Sequence, residues 1–162
     1  MGRKDEISVE IIIILFGIFI RKIILLGLKE EFMMIFASTE KMYEVLGELF
    51  NTLLDDPTVG PKYKEANIVI KFSIHDPEGY IWLTNDSQVI CGEADYKPTI
   101  EMSLSGDSCH QFWLQEIKLP TALAKGLIKA KGPMPKVLNL LPMLKPAYEA
   151  YPEIAKKHGI TT

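Results

Sequence analysis

At 162 residues, 48% hydrophobic and 24% charged, the chain has enough apolar mass for one globular domain with a real core and is too short for two of ordinary size. The net charge of −3 hides an asymmetry: residues 1–117 carry 10 basic and 19 acidic side chains, whereas 118–162 carry 8 and 2. The cysteines, Cys91 and Cys109, form no CxxC pair and fit a reducing compartment, so a cytoplasmic location is expected.

Residues 1–32 form an apolar extension ahead of a domain at 33–162. Within "EIIIILFGIFIRKIILLGLKEE" the longest uncharged apolar run, Ile11 to Ile20, is ten residues. Arg21 and Lys22 would fall near the centre of a membrane span of about 20 residues, at roughly 2.5–3.5 kcal/mol each. Asp5, Glu6 and Glu10, with no small-residue cleavage pattern after them, argue against a secretory leader. Three readings stay open: a membrane-anchoring or interfacial helix over residues 7–28, an extra packing helix, or a start placed too far upstream, with Met33 or Met34 opening the domain.

Ser38 is a good N-cap, and Met42, Val45, Leu46, Leu49, Phe50 and Leu53 follow at helical spacing, so one face of the next helix is apolar. "DDPTVGP" is expected to end it. Ile68, Ile70, Phe72 and Ile74 alternate with Val69, Lys71, Ser73 and His75, the period of a strand with one face on a core. After the turn "HDPEG", the segments "YIWLT" and "QVICG" read as two further strands around Asn85-Asp86, completing a meander. Ile100, Met102 and Leu104 alternate in a fourth strand, and Asp107 or Ser108 is expected to cap the helix "CHQFWLQEI".

A fifth strand carries Ile128 and Ala130 on one face and Lys129 and Lys131 on the other, and Gly132-Pro133 stops it. Met134, Val137, Leu138, Leu141, Leu144 and Tyr148 then share one helical face. Pro142 and Pro146 each remove a hydrogen bond, so this region should be short, kinked pieces able to cover a cavity. The order of elements describes an α+β fold, a five-stranded, mostly antiparallel sheet with helices packed on one face.

No catalytic residue, metal ligand or cofactor is assigned. His75, His110 and His158 lack metal-ligand spacing, and there is no GxSxG, Walker loop or glycine fingerprint. "DSCH" reads first as a capped helix start and second as a Cys109–His110 nucleophilic pair. The C-terminal lysines lack the arginines and interleaved aromatics of a nucleic-acid platform, so no nucleic-acid partner is expected.

The meander, the amphipathic helix before it and "PTIEMSLSGDSCHQFWLQEIKLPTALAKGLIKAKGPMPKVLNLLPML" resemble the sterol carrier protein type 2 family of lipid-binding domains over residues 38 to 158. The resemblance implies a non-catalytic domain enclosing an apolar cavity for fatty acid, fatty acyl-CoA, phospholipid or sterol. The peroxisomal "SKL" tail of the family is replaced by "GITT", which leaves that targeting route unsupported. Transfer of a sixteen-carbon chain from water gains roughly 12 kcal/mol at about 0.8 per methylene, less several kcal/mol for association, so apolar lining alone can supply affinity.

The expected ligand-binding residues are Phe72, Ile74, Trp82, Met102 and Leu104 on the sheet, Phe112 and Trp113 on the crossover helix, and Met134, Leu138 and Leu141. Lys129, Lys131 and Lys136 are expected to meet lipid head groups or an anionic membrane surface, transiently. Two other functions compete: a small enzyme acting on a lipid thioester or steroid through Cys109 and His110, and a solid-core interaction module tethered to a membrane by residues 7–28.

Overall fold

The computed structural model describes residues 9–31 and 34–162. The chain divides into two units, Met1–Met33 and Met34–Thr162. Residues 7 and 8 of the expected anchor, and Met33, lie outside the described residues.

In the first unit, Val9–Glu31 forms one helix, α1. Its consecutive apolar side chains from Ile12 to Phe16 and from Ile18 to Ile20 occupy every side of the helix and are 41–64% exposed. Among the described residues no helix is long and apolar enough to cross a membrane.

The second unit opens with α2 (Thr39–Asp55), where the Ser38 hydroxyl accepts from the Lys41 N–H at 3.2 Å. Such a cap contributes about 1 kcal/mol. The apolar stripe from Met42 to Leu53 is buried, as its spacing predicts. "DDPTVGP" is not a simple stop: the Asp56 carboxylate accepts from the N–H groups of Thr58 (2.8 Å) and Val59 (3.0 Å). A second helix, α3 (Val59–Ala66), starts there and ends at Asn67 in the left-handed region. The same aspartate that reads as a breaker supplies the donor-satisfying oxygen for the next helix.

Strands β1 (Ile70–His75), β2 (Gly79–Leu83) and β3 (Val89–Cys91) form the meander. The chain then returns across the sheet to β4 (Ile100–Ser105), which runs parallel to β1 in the register Ile70↔Ile100, and β5 (Ile128–Lys131) closes antiparallel to β4. The order is β3-β2-β1-β4-β5, so the sheet is mostly antiparallel with one parallel pair. Alternation sends Ile70, Phe72, Ile81, Leu83, Ile100, Met102, Leu104 and Ile128 into the core and Lys71, Glu101, Lys129 and Lys131 to the other face.

Between β4 and β5 lie two short helices, α4 (Gly106–Trp113) and α5 (Leu119–Ala124). Ser105 caps α4, accepting from the Ser108 N–H at 3.1 Å, in place of the expected Asp107 or Ser108. The Asp107 carboxylate instead accepts from the Ile35 N–H at 3.0 Å. The α4 helix is shorter than "CHQFWLQEI" suggests, and Gln115 in the left-handed region turns the chain. At Gly132 (φ +123°) an added Cβ would stand 2.6 Å from the Thr99 carbonyl, so only glycine lets β5 end against β4.

After β5, α6 (Met134–Asn139) gives way to a 3-10 turn (Leu141–Leu144) and then to α7 (Lys145–Lys157). Pro142 and Pro146 both sit at element starts, where no helical N–H bond is lost. The expected kinked pieces are therefore two, followed by a single 13-residue helix that contains Pro152. It packs along α2, where Lys157 and His158 both reach the Glu48 carboxylate at 2.8 Å.

Candidate functional site: an apolar cavity under the sheet

The sheet's inner face and the helices enclose a cavity. Phe72, Met102, Leu104 and Ile128 form its floor, Phe50 and Leu53 of α2 one side, and Cys109, Phe112 and Trp113 of α4 another. Val137 of α6, then Leu140, Met143 and Leu144, close it. About 50 Å³ is open to the centre of a water molecule, several times the 10–15 Å³, roughly, that one water needs. That is far less than a long acyl chain occupies.

Of the polar side chains on this wall, Tyr63 and Cys109 are spent or muted. The Tyr63 hydroxyl donates to the Leu83 carbonyl at 2.9 Å, with the Ile68 carbonyl at 3.3 Å, and burial pushes its ionisation upward. Burial raises the Cys109 thiol to about 12, a contact with Trp113 opposing this weakly, which leaves it without thiolate near neutral pH. Cys109 and His110 do not act on one site: the His110 ring turns from the cavity and its Nδ1 lies 2.7 Å from the Tyr151 hydroxyl. Adjacent residues on a helix point about 100° apart, so a pair that looks coupled in sequence is separated in space.

Of the expected binding residues, the structure brings Phe72, Met102, Leu104, Phe112 and Trp113 to the cavity and places the other five outside its lining. Ile74 is on the inner face but in solid core. Trp82 is 3% exposed yet belongs to the opposite face, paired in register with Lys71. There its Nε1–H donates to the Gly92 carbonyl at 3.0 Å, Tyr96 lies 6.4 Å from its ring and the Lys71 ammonium sits 5.0 Å above it. Strand parity decides this: Ile81 and Leu83 face inward, so the residue between them cannot.

Met134 and Leu138 are 40% and 44% exposed on the outside of α6, and Leu141 borders a separate surface hollow with Tyr148. The expected face runs unbroken from Met134 to Tyr148, but α6 ends at Asn139 and the 3-10 turn changes the angle per residue. The inward residues become Val137, Leu140, Met143 and Leu144. Lys129 and Lys131 border a hollow on the outer sheet face with Ser73, Glu101 and Ser103, on the far side from the cavity. Lys136 is exposed on α6 itself. Tyr63 and Val59 escaped sequence reading because α3 did; the signal was Asp56-Pro57 as a cap.

No protein-family model matches the chain, and no curated protein matches it. Solved structures do. The sterol carrier protein domain 2 of Helicoverpa armigera aligns at a TM-score of 0.56 with 17% identity, covering 67% of this chain and 89% of that one. Sterol carrier protein 2 like 2 from Aedes aegypti aligns at 0.51 with 12% identity, covering 62% and 94%. The chain has a sterol carrier protein 2 fold.

Proposed function

We propose that residues 34–162 bind an extended apolar ligand, a fatty acid or the acyl chain of an acyl-CoA or phospholipid, or a sterol, and carry it between surfaces without chemistry. The observation that carries this reading is the cavity wall. It is built from apolar side chains of the sheet, five helices and the 3-10 turn, and its polar groups are hydrogen-bonded internally or held neutral. The sterol carrier protein fold supports it.

Filling the cavity requires the wall to yield, and the wall is uneven. Phe50, Leu104 and Trp113 are buried, whereas Leu140, Met143 and Leu144 are only partly so. The 3-10 turn is thus the part that a ligand displaces at least cost, and Met143 adapts to varied shapes.

Organic extraction of the purified protein followed by mass spectrometry tests the reading, together with titration of a fluorescent fatty acid. A stoichiometric lipid or saturable 1:1 binding is expected. A ligand-free, folded protein that rejects the fatty acid would point instead to a solid-core interaction module. Loss of turnover on an acyl-CoA in Cys109→Ala with lipid binding intact would support the enzyme reading.

Unit 1 has its own role in this proposal. A helix apolar on every side and exposed from Ile12 to Ile23, with Arg21 and Lys22 as its only charges between Ile11 and Leu28, covers that surface by associating with a membrane. Salt-washed membrane fractions from cells making the full chain or a chain starting at Met34 decide it, and equal retention of both would sink it.

A further inference from the structure

Residues 134 to 138 make α6 two-sided. Val137 is 1% exposed and walls the cavity, while Met134 and Leu138, four residues apart and so on one side of the helix, are among the most exposed large apolar side chains described in the second unit. Pro133 and Pro135 beside them are exposed too. Side by side they leave a small apolar patch in water that contact with an apolar partner would bury.

Charge says what covers them. From Ile117 to Tyr148 the chain holds six lysines and no Asp or Glu, although the whole chain is net negative. Lys136 sits within α6 and is exposed, and Lys131 and Lys145, also exposed, flank it before and after. Lys131 and Lys145 each already face a carboxylate, Glu101 at 3.6 Å and Glu149 at 3.8 Å, whereas Lys136 stands beside the apolar pair; that pairing of apolar tip and cation matches a bilayer surface bearing anionic head groups.

Resting on the lipid-binding reading above, we infer that α6 is the docking element and gate of the cavity: Met134 and Leu138 enter an anionic bilayer, Lys136 meets its head groups, and the displacement of α6 draws Val137 off the cavity. One short helix then couples arrival at a membrane to opening of the site. Met134 and Leu138 act outside the cavity, so they set exchange with membranes and leave occupancy in solution alone.

The test uses the full chain, a fluorescent stearate, and vesicles of phosphatidylcholine with or without one-fifth phosphatidylserine. In the double variant M134S/L138S, binding of the stearate without vesicles is unchanged while transfer to phosphatidylserine vesicles slows by about tenfold or more. Lys136→Gln slows transfer by about fivefold at low salt, with the anionic vesicles only. In a L138W variant, brominated lipid quenches the added indole beyond the wild-type background. Unchanged transfer in M134S/L138S with stearate binding intact overturns the inference, as does an unquenched L138W indole. If the wild type binds no stearate at all, the lipid-binding reading fails by itself, and quenching of L138W still decides docking. A concentration-dependent dimer in the wild type, abolished by M134S/L138S without vesicles, would assign this face to a second copy and overturn the membrane as its partner.

Discussion

The cavity has two walls of different make. On the fixed side, the sheet, α2 and α4 bring Phe50, Phe72 and Trp113 into ring contact, Phe50 stacked on Phe72 at 4.9 Å and edge-on to Trp113 at 5.6 Å. On the other side the 3-10 turn presents half-buried aliphatic side chains and carries a proline. Aromatic interlocking resists deformation, because each ring loses many contacts when its neighbour shifts. A short turn of leucines and one methionine does not, so the fold places rigidity and compliance on opposite sides of one space.

Truncating the fixed wall breaks this contrast most severely. Trp113→Ala removes a ring 2% exposed and is expected to destabilise by about 3–5 kcal/mol. Leu140→Ala in the compliant wall should cost about 1 kcal/mol or less, since its side chain is already partly in water. Urea unfolding of both proteins measures the difference, and equal losses would abolish the distinction between the walls.

Tyr63→Phe probes the polar seam between α3 and the sheet. The ring stays and the bond to the Leu83 carbonyl goes, for an expected loss of about 1–2 kcal/mol. Denaturant midpoints read it; a midpoint equal to that of the wild type would show the hydroxyl to be dispensable.

How far such walls can be read beforehand differs by element. The stripe of α2 and the alternation of β1 and β4 are local patterns, and the structure keeps them. Trp82 is expected on the inward face of its strand, but register with Lys71 puts it on the outer one. For α6 the pattern of Met134, Leu138 and Leu141 assumed 3.6 residues per turn past a point where Pro142 starts a tighter turn. α3 and α5, eight and six residues long, are too short for periodicity to show. The cavity joins residues from position 50 to position 144, and no local pattern encodes a void.

Away from the cavity, His110 ties α4 to α7 through Tyr151, which is fully buried. Burial lowers the His110 pKa, with Glu116, the Thr161 backbone and Asp107 opposing. The folded state therefore binds fewer protons than the unfolded one near pH 6. Stability is complete above the ordinary value of 6.5 and declines as pH falls through it toward the lower folded value. In His110→Asn that decline between pH 7 and 5.5 should flatten, as followed by thermal melts at each pH. A decline of the same steepness in the variant would place the titration elsewhere.

The smallest effect belongs to the clasp between α2 and α7. Hydrogen bonds from Lys157 first and His158 second hold the Glu48 carboxyl below its ordinary value. A depressed carboxylate contributes stability above its unfolded value of about 4.3, and that contribution is lost as pH falls through the folded value. The pair is largely solvent-exposed, so Glu48→Gln should shift the urea midpoint at pH 7 only slightly. As pH falls through the lowered folded value the shift should shrink further, because the wild-type carboxylate is then being protonated. Added salt at pH 7 should mimic the acid; a difference that persists at high salt would mean that the bond is held by geometry and not by charge.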